Sequence, residues 1–135
     1  TLLAEHVSPG THLACMGTDT KGKQEVDAAL VAAATVFTDE IAQSTTIGEA
    51  QHAIAKGLIK AEDITPIGAV INGAHPGRTS DDEVTLFDGT GVGLQDLAVA
   101  SVAAVSPSTT TSASSGNGKL RIKSLAASAV VRTGK

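Results

Sequence analysis

The amino-acid sequence predicts an α/β fold with a parallel sheet. Short β-prone runs alternate along the chain with stretches in which apolar residues recur at helical spacing, and this alternation is typical of strands joined by crossover helices. The chain has 135 residues, of which 41% are hydrophobic and 18% charged, a composition typical of one globular domain. We therefore expect one sheet with helices packed against it.

The first part of the chain predicts two strands and one helix. Residues 11–16 form a mostly apolar run that is typical of a buried strand, and residues 17–23 are predicted to form a loop. A helix follows this loop, with Asp27 as a candidate N-cap. Its apolar positions recur at three- and four-residue spacing, at Val26, Leu30, Val31 and Ala34. Residues 35–38 form the second β-prone run.

The middle of the chain predicts two short helices. Residues 49–56 have a helical pattern, and Gly57 stands in the position of a helix C-cap. Thr65 is a candidate N-cap, and Pro66 would occupy the first helical position of a helix that continues to about Ile71.

A third strand and a last helix complete the predicted elements. Residues 80–83, Ser-Asp-Asp-Glu, have the spacing of a capping box, but the β-prone residues 84–87 follow too closely for a long helix. The glycine-rich residues 89–93 then lead into a helix predicted from Leu94 to about Ala104.

Composition excludes several classes of function. Aromatic residues make up 1% of the chain, with no Trp or Tyr, so an aromatic platform for single-stranded nucleic acid is not expected. The single cysteine, Cys15, cannot form an internal disulfide, which favours a reducing compartment, the cytoplasm. The longest uncharged apolar run, residues 28–38, is shorter than the roughly 20 residues of a membrane span. We expect neither a membrane segment nor a signal peptide.

Charge divides the chain near residue 104. All 14 acidic residues lie between Glu5 and Asp96, whereas residues 101–135 contain five basic residues and no acidic one. Eight of the ten residues 106–115 are Ser or Thr, and such a segment cannot bury enough apolar surface to offset its ordering entropy. We expect a folded part, residues 1–104, and a disordered, Ser/Thr-rich basic tail, residues 105–135. The tail is interpreted as solvated rather than as a nucleic-acid arm.

Two glycine-rich segments resemble phosphate-binding motifs without completing them. Residues 17–24 have the outline of a P-loop, but Gln24 stands where a P-loop needs a hydroxyl for magnesium, and Asp19 would repel phosphates. Gly89-x-Gly91-x-Gly93 imitates a dinucleotide-binding fingerprint, but its third glycine comes one residue early. The second segment is therefore interpreted as a strand-to-helix turn.

The remaining candidate groups leave one residue of interest. His12 and Cys15 would point to opposite faces of their strand and cannot share a metal ion, and no metal site is predicted. No Gly-x-Ser-x-Gly elbow is present for a nucleophilic hydrolase. Asp19 follows a strand at the end where α/β sheets bind ligands. The residues alone leave open whether it acts in catalysis or only pairs with Lys21 or Lys23.

Two blocks of sequence resemble one known family. Residues 9–13, Pro-Gly-Thr-His-Leu, lead into residues 17–27, Gly-Thr-Asp-Thr-Lys-Gly-Lys-Gln-Glu-Val-Asp. Residues 76–88, Pro-Gly-Arg-Thr-Ser-Asp-Asp-Glu-Val-Thr-Leu-Phe-Asp, form the second block, followed by Gly91 and the Leu-Gln-Asp-Leu-Ala run at residues 94–98. In this order they resemble the ornithine cyclodeaminase/mu-crystallin family, over about residues 1–100.

The resemblance implies a fold and an activity. Family members have a Rossmann domain and a separate dimerising substrate domain, and they act at the α-carbon of amino acids with NAD(H) or NADP(H). They deaminate and cyclise ornithine to proline, oxidise alanine or reduce cyclic imino acids. Residues 1–104 would then form the second half of a Rossmann-like parallel sheet with flanking helices. They would also include the start of the helix that returns to the substrate domain.

The resemblance also implies roles for individual residues. Asp19 matches the family's catalytic aspartate, which lies near the substrate amine, and Lys23 matches a cofactor contact. Gly89 falls where the family binds the nicotinamide, although a serine is often found there, and Thr90 falls where the family binds substrate. The implied partners are a small amino or imino acid and, in the complete protein, a second subunit of a homodimer, with no nucleic acid and no membrane.

The hypothesis from the sequence is therefore the C-terminal part of a cyclodeaminase-type enzyme. The family's cofactor fingerprint and the lysine and arginine that bind the substrate carboxylate would lie before Thr1, so the chain alone is expected to be inactive. The group that distinguishes NAD from NADP would also lie there, and the substrate and direction of reaction stay open. The alternative is a mu-crystallin-like protein that binds cofactor and small molecules without catalysis.

Overall fold

The computed structural model of the chain describes residues 1–105 and 130–132. Its strands are β1 His12–Cys15, β2 Thr35–Thr38, β3 Thr65–Pro66, β4 Thr85–Asp88 and β5 Val130–Arg132. Its α-helices are α1 Ala28–Ala33, α2 Ile41–Thr46, α3 Ala50–Ala55, α4 Ile67–Ile71 and α5 Gly93–Val105. Two single-turn 3-10 helices, Ala4–His6 and Ala61–Asp63, precede β1 and β3.

The strands form one sheet in the order β3-β2-β4-β1-β5. Strands β1 to β4 run parallel, and β4 lies between β1 and β2 so that Asp88 is opposite both Cys15 and Thr38. This arrangement confirms the predicted α/β class and its parallel sheet. Strand β5 lies antiparallel on the free side of β1, which the sequence did not predict.

The chain divides into two compact units. The first consists of Thr1–Val92 with Ala127–Lys135, and the second of Gly93–Ala126. Helix α5 belongs to the second unit and continues through residue 104, where composition places a boundary. Residues 106–129 and 133–135 lie outside the described residues, so disorder of these parts of the predicted tail stays a prediction. Within residues 1–105 and 130–132, no helix combines the length and hydropathy that crossing a membrane requires.

The core lies between the sheet and helices α1 and α3. Leu13 of β1, Val36 of β2 and Leu86 of β4 are at most 3% exposed, and they pack with the buried faces of the two helices. Helices α1 and α3 contact each other, and both carry fully buried small side chains, which allow helix backbones to approach closely. These side chains are Ala28, Ala50 and Ala53.

The predicted caps hold for α1 and α3 but not for α4. The Asp27 carboxylate accepts a hydrogen bond of 2.8 Å from the Ala29 N–H at the start of α1. Gly57 follows α3 with a φ of +68°, a conformation that glycine adopts without strain. Thr65 does not cap α4: it pairs with Phe37 in the sheet, and Pro66 is the N-cap residue instead of the first helical residue.

Helix α2 was not predicted, and residues 80–83 do not start a helix. Helix α2 is rich in Ser and Thr, which are poor helix formers, so the sequence pattern there is weak. The Glu83 carboxylate instead folds back on its own turn, accepting hydrogen bonds from the Thr79 N–H and from the hydroxyl of Thr35 at the start of β2. The Thr35 hydroxyl contributes most to lowering the pKa of Glu83 from 4.5 to about 2.

Truncation of the central core residue should destabilise the fold. Leu86 on the middle strand is fully buried, so Leu86→Ala removes apolar contacts and leaves a cavity. We expect the free energy of unfolding to fall by about 2–5 kcal/mol, measured by urea denaturation of the full-length gene product. Leu58→Ala is the matched control, because Leu58 is 49% exposed; an equal loss in both variants would contradict this account of the core.

The thiol of Cys15 should be inert in the folded protein. It is 2% exposed, and burial, with the nearby carboxylates of Glu49, Asp88 and Glu25, raises its pKa to about 12. Because the thiolate is the reactive form, we expect iodoacetamide at pH 8 to leave the Cys15 peptide unmodified under native conditions and to alkylate it in denaturant. Mass spectrometry of the digested protein measures both; rapid native alkylation would show that the strand end opens.

Candidate active site

The carboxyl ends of three neighbouring strands meet at one edge of the sheet. Strands β1, β2 and β4 end at Cys15, Thr38 and Asp88, which are in register. Parallel α/β sheets bind their ligands at this edge, in the loops that follow the strands. The loop after β1, residues 17–26, is called the Asp19 loop below.

Asp19 and Lys23 lie side by side on the Asp19 loop. The Lys23 Nζ is 3.3 Å from the Asp19 Oδ1. The Lys23 side chain is 47% exposed and the Asp19 side chain 71% exposed. The Thr20 hydroxyl donates to the same carboxylate oxygen at 3.1 Å. These hydrogen bonds, Thr20 first and Lys23 second, lower the pKa of Asp19 below its ordinary value. An ionised carboxylate and an ammonium group are thus both open to a ligand at the edge of the sheet.

Helix α3 supports the Asp19 loop from one side. The Gln51 side chain accepts a hydrogen bond of 2.7 Å from the Gly22 N–H, and His52 Nε2 lies 3.0 Å from the Lys23 carbonyl oxygen. The Lys23 ammonium donates to the Gly17 carbonyl oxygen, which closes the loop on itself. A cavity of about 520 Å³ lies beside this support, lined by residues of the loop, α2 and α3.

Glu49 is a buried residue of this site that the sequence did not single out. Its carboxylate is fully buried and accepts hydrogen bonds from the Thr18 hydroxyl and from the backbone N–H groups of Glu25 and Val26. The sequence carries one weak signal for it: an acidic residue directly before a short helix that contains no other acidic residue. A buried carboxylate behind residues 17–24 would repel a phosphate bound there, which agrees with the interpretation that this segment is not a P-loop.

Gly89 lies directly after β4 and packs against the end of β1. Its N–H donates to the Cys15 carbonyl oxygen at 2.8 Å. A β-carbon at this position would collide with Met16 Sδ and lie 3.2 Å from a ring carbon of Phe87. The glycine therefore leaves room for the Met16 side chain, which is 43% exposed at the sheet edge.

Thr90 is buried and joined to the loop after β2. Its hydroxyl donates to Asp39 Oδ1 at 2.6 Å, its N–H donates to the same carboxylate, and the hydroxyl lies 2.9 Å from Gln43 Oε1. Burial opposes ionisation of Asp39, but the hydrogen bonds, led by those from Thr90, outweigh it and lower its pKa. Thr90 is 6% exposed, so its hydroxyl is committed to Asp39 in this structure.

Asp88 is the second buried carboxylate at this edge. Its Oδ2 accepts a hydrogen bond of 2.6 Å from the Ser44 hydroxyl, and its Oδ1 has no hydrogen-bond partner among the residues that the structure describes. Burial is the main cause that raises the pKa of Asp88, although the hydrogen bond from Ser44 and the nearby N–H groups of Glu49 and Ala50 oppose it.

The structure thus pairs two of the four predicted site residues directly. Asp19 and Lys23 are in contact, and Gly89 and Thr90 follow the neighbouring strand at the same edge. His12 is exposed and Cys15 buried, as expected for opposite faces of β1. Within the described part of the chain, no group of three or more His, Cys, Asp or Glu side chains is arranged to hold a metal ion.

Comparison with known proteins identifies close relatives. The sequence profile of the ornithine cyclodeaminase/mu-crystallin family matches residues 1–107. Iminosuccinate reductase from Paracoccus denitrificans is 67% identical over 99 residues, which are 73% of this chain and 31% of the reductase. Its crystal structure in complex with NAD⁺ matches with a TM-score of 0.70 at 66% identity, covering 73% of this chain and 30% of that chain.

A second solved relative supports the same assignment. An archaeal alanine dehydrogenase dimer with bound NAD matches with a TM-score of 0.70 at 44% identity, covering 74% of this chain and 32% of that chain. The present chain therefore spans about 31% of the length of the curated relatives it matches. The family resemblance and the Rossmann-like parallel sheet expected from it are both confirmed. The chain belongs to the ornithine cyclodeaminase/mu-crystallin family.

Proposed function

We propose that this chain forms part of the dinucleotide-binding domain of an NAD(P)-dependent enzyme that acts at the α-carbon of an amino or imino acid. The observation that carries the proposal is the exposed Asp19–Lys23 pair at the carboxyl edge of the sheet, in a chain 67% identical to an iminosuccinate reductase. Reduction of an imino acid to an amino acid is the reaction that this identity favours. Deaminating cyclisation of ornithine and oxidation of alanine are the other family reactions to be tested.

The residues at this edge fit the nicotinamide end of a dinucleotide. The Lys23 ammonium offers hydrogen-bond donors to a ribose or phosphate oxygen. Gly89 is buried beneath the Met16 side chain, and its N–H is bonded to Cys15, so a cofactor contact at Gly89 requires Met16 to move. When bound, the nicotinamide supplies or accepts the hydride. The proposal names Lys23 and Gly89 as the cofactor contacts of this chain and assigns no pyrophosphate contact, because no complete dinucleotide-binding fingerprint is among the 135 residues.

Asp19 has the properties that the substrate chemistry requires. An imino acid becomes a better hydride acceptor when its nitrogen is protonated, and a carboxylate beside the nitrogen stabilises that positive charge. Asp19 is exposed and its pKa is held low, so it is ionised at neutral pH. In the reverse direction the same carboxylate can accept a proton from the amine or from water.

Thr90 is proposed to take part in substrate binding through its backbone or through a hydroxyl released from Asp39. Two further proposals concern the oligomeric state and the compartment. The archaeal alanine dehydrogenase is a dimer, and we propose a homodimer here too. The free, buried cysteine supports a reducing compartment such as the cytoplasm.

Replacement of Asp19 by Asn should abolish most of the activity of the full-length gene product. Asp19→Asn removes the charge but keeps the shape, and the residue is too exposed to support the fold. We expect turnover to fall by roughly a hundredfold or more, with the melting temperature and cofactor affinity nearly unchanged. The assay follows NADH or NADPH absorbance with oxaloacetate plus ammonia, which form iminosuccinate, and in parallel with alanine and cyclic imino acids. Conversion of ornithine to proline and ammonia is redox-neutral overall, so ornithine turnover is followed by the release of ammonia.

The same assay separates the enzyme from the non-catalytic alternative. A wild-type protein that binds NAD(H) but turns over none of these substrates would support a mu-crystallin-like binder. Full activity in Asp19→Asn would show that Asp19 is not the acid–base group.

Replacement of Lys23 should weaken cofactor binding more than turnover. A point charge on a ribose or phosphate contributes mainly uniform binding, so we expect Lys23→Ala to raise the KM for the cofactor by a larger factor than it lowers kcat. Lys21→Ala is the matched control, because Lys21 is exposed on the same loop. A loss of kcat with an unchanged cofactor KM would mean that Lys23 acts through Asp19 instead.

A further inference from the structure

We propose that Glu49 is a positioning residue that holds the Asp19 loop in its working conformation, an inference that rests on the proposed role of Asp19. The carboxylate is fully buried, and its hydrogen bonds go to the two ends of the loop, at Thr18 and at Glu25 and Val26. It would act on the chemistry only through the backbone that carries the Asp19 side chain.

Glu49 forms hydrogen bonds to residues on both sides of the Asp19–Lys23 pair in the sequence. The Thr18 hydroxyl, directly before Asp19, donates to Glu49 Oε1. The Glu25 N–H donates to Oε1 at 3.0 Å, and the Val26 N–H donates to Oε2 at 3.1 Å. Residues at both ends of the Asp19 loop are therefore hydrogen-bonded to the carboxylate of Glu49.

Glu49 does not act as a cap of its own helix. It precedes α3 in the N-cap position, but its side chain makes no hydrogen bond to the helix N-terminus. A buried carboxylate is costly unless hydrogen bonds compensate it, and here the compensation comes from the Asp19 loop. The loop contacts therefore account for a charged residue at this buried position, whereas helix stability does not.

A carboxylate suits this role better than an amide. It offers acceptor sites on both oxygens, and the loop presents donors to both. In Gln the second oxygen is replaced by an NH₂ group, which would face the Val26 N–H donor to donor. A buried donor without an acceptor is penalised, so the Val26 end of the loop should loosen in Glu49→Gln while the overall shape of the side chain is kept.

The residue before Glu49 connects the loop to the other side of the site. A β-carbon at Gly48 would collide with Asp88 Oδ2 and lie 2.7 Å from Ser44 Cα, so Gly48 packs directly on the end of β4. Gly48 thus contacts the strand that leads to Gly89 and Thr90, and Glu49 contacts the loop that carries Asp19. Two consecutive residues therefore contact both halves of the site.

The test compares Glu49→Gln with wild type in the full-length gene product. Amide hydrogen exchange at Glu25 and Val26 should accelerate by about tenfold or more, the scale of one lost hydrogen bond, with core strand β4 unchanged. The pKa of Asp19, measured by carboxyl NMR, should rise toward its ordinary value of 3.8, because Thr20 and Lys23 are no longer held beside it. Turnover should fall by about tenfold, with a smaller change in the substrate KM.

Two further variants complete the experiment. Glu62→Gln is the matched control, since Glu62 is exposed in the 3-10 helix Ala61–Asp63, and it should change none of these quantities. If Glu49→Gln does not fold, Thr18→Val removes one donor to the same carboxylate and should accelerate exchange in the loop and raise the Asp19 pKa to a smaller extent.

The exchange and NMR measurements decide the proposal without reference to turnover. Unchanged exchange at Glu25 and Val26, or an unchanged Asp19 pKa despite faster exchange, would overturn it. A wild-type protein without activity would instead refute the proposed function, while the response of the Asp19 pKa would still support or overturn the role of Glu49. If Glu49→Gln keeps full turnover while Asp19→Asn is inactive, the proposed role of Glu49 is also overturned.

Discussion

The parallel pairing of β1 with β4 is the constraint on which the rest of the site depends. It places Cys15 opposite Asp88, so that the Asp19 loop and the Gly89–Thr90 segment begin side by side although about 70 residues separate them in sequence. Because β4 also pairs with β2, the loop that contains Asp39 begins at the same edge. The pairing turns three distant segments into one surface, and the buried faces of the strands fix its register.

Much of the fold follows from local sequence. The predicted strand runs near residues 11–16, 35–38 and 84–87 correspond to β1, β2 and β4, and Asp27 caps α1 as expected. These signals are local: β-prone residues in short runs and a capping side chain two residues before the amide it binds. Where the sequence pattern did not predict the observed element, tertiary contacts stabilise that element. Helix α2 has a weak helical sequence, but Ser44 within it is fully buried and bonded to Asp88.

The sequence predicted Asp19 and Lys23 of the candidate site but not the carboxylates that support the site. The family motif identified Asp19 and Lys23, and their spacing of four residues allows the contact that the structure contains. Glu49 and Asp39 lie 24 and 51 residues from the backbone groups they bind. No local sequence pattern predicts hydrogen bonds over such separations. Their contacts depend on the folding of the whole edge, so the supporting residues emerge only when the strands are assembled.

The packing of Met16 against Gly89 has a consequence for how this site can change. Because a side chain at position 89 and the present path of Met16 occupy the same space, a change at position 89 also changes the position of the Met16 side chain. A serine at 89 requires Met16 to swing outward or be replaced by a smaller residue, and a smaller residue at 16 alone leaves a gap above the glycine. Met16 is 43% exposed and its long side chain is flexible, so we expect it to move outward when position 89 carries a side chain, and the surface at this edge of the sheet changes shape as a result.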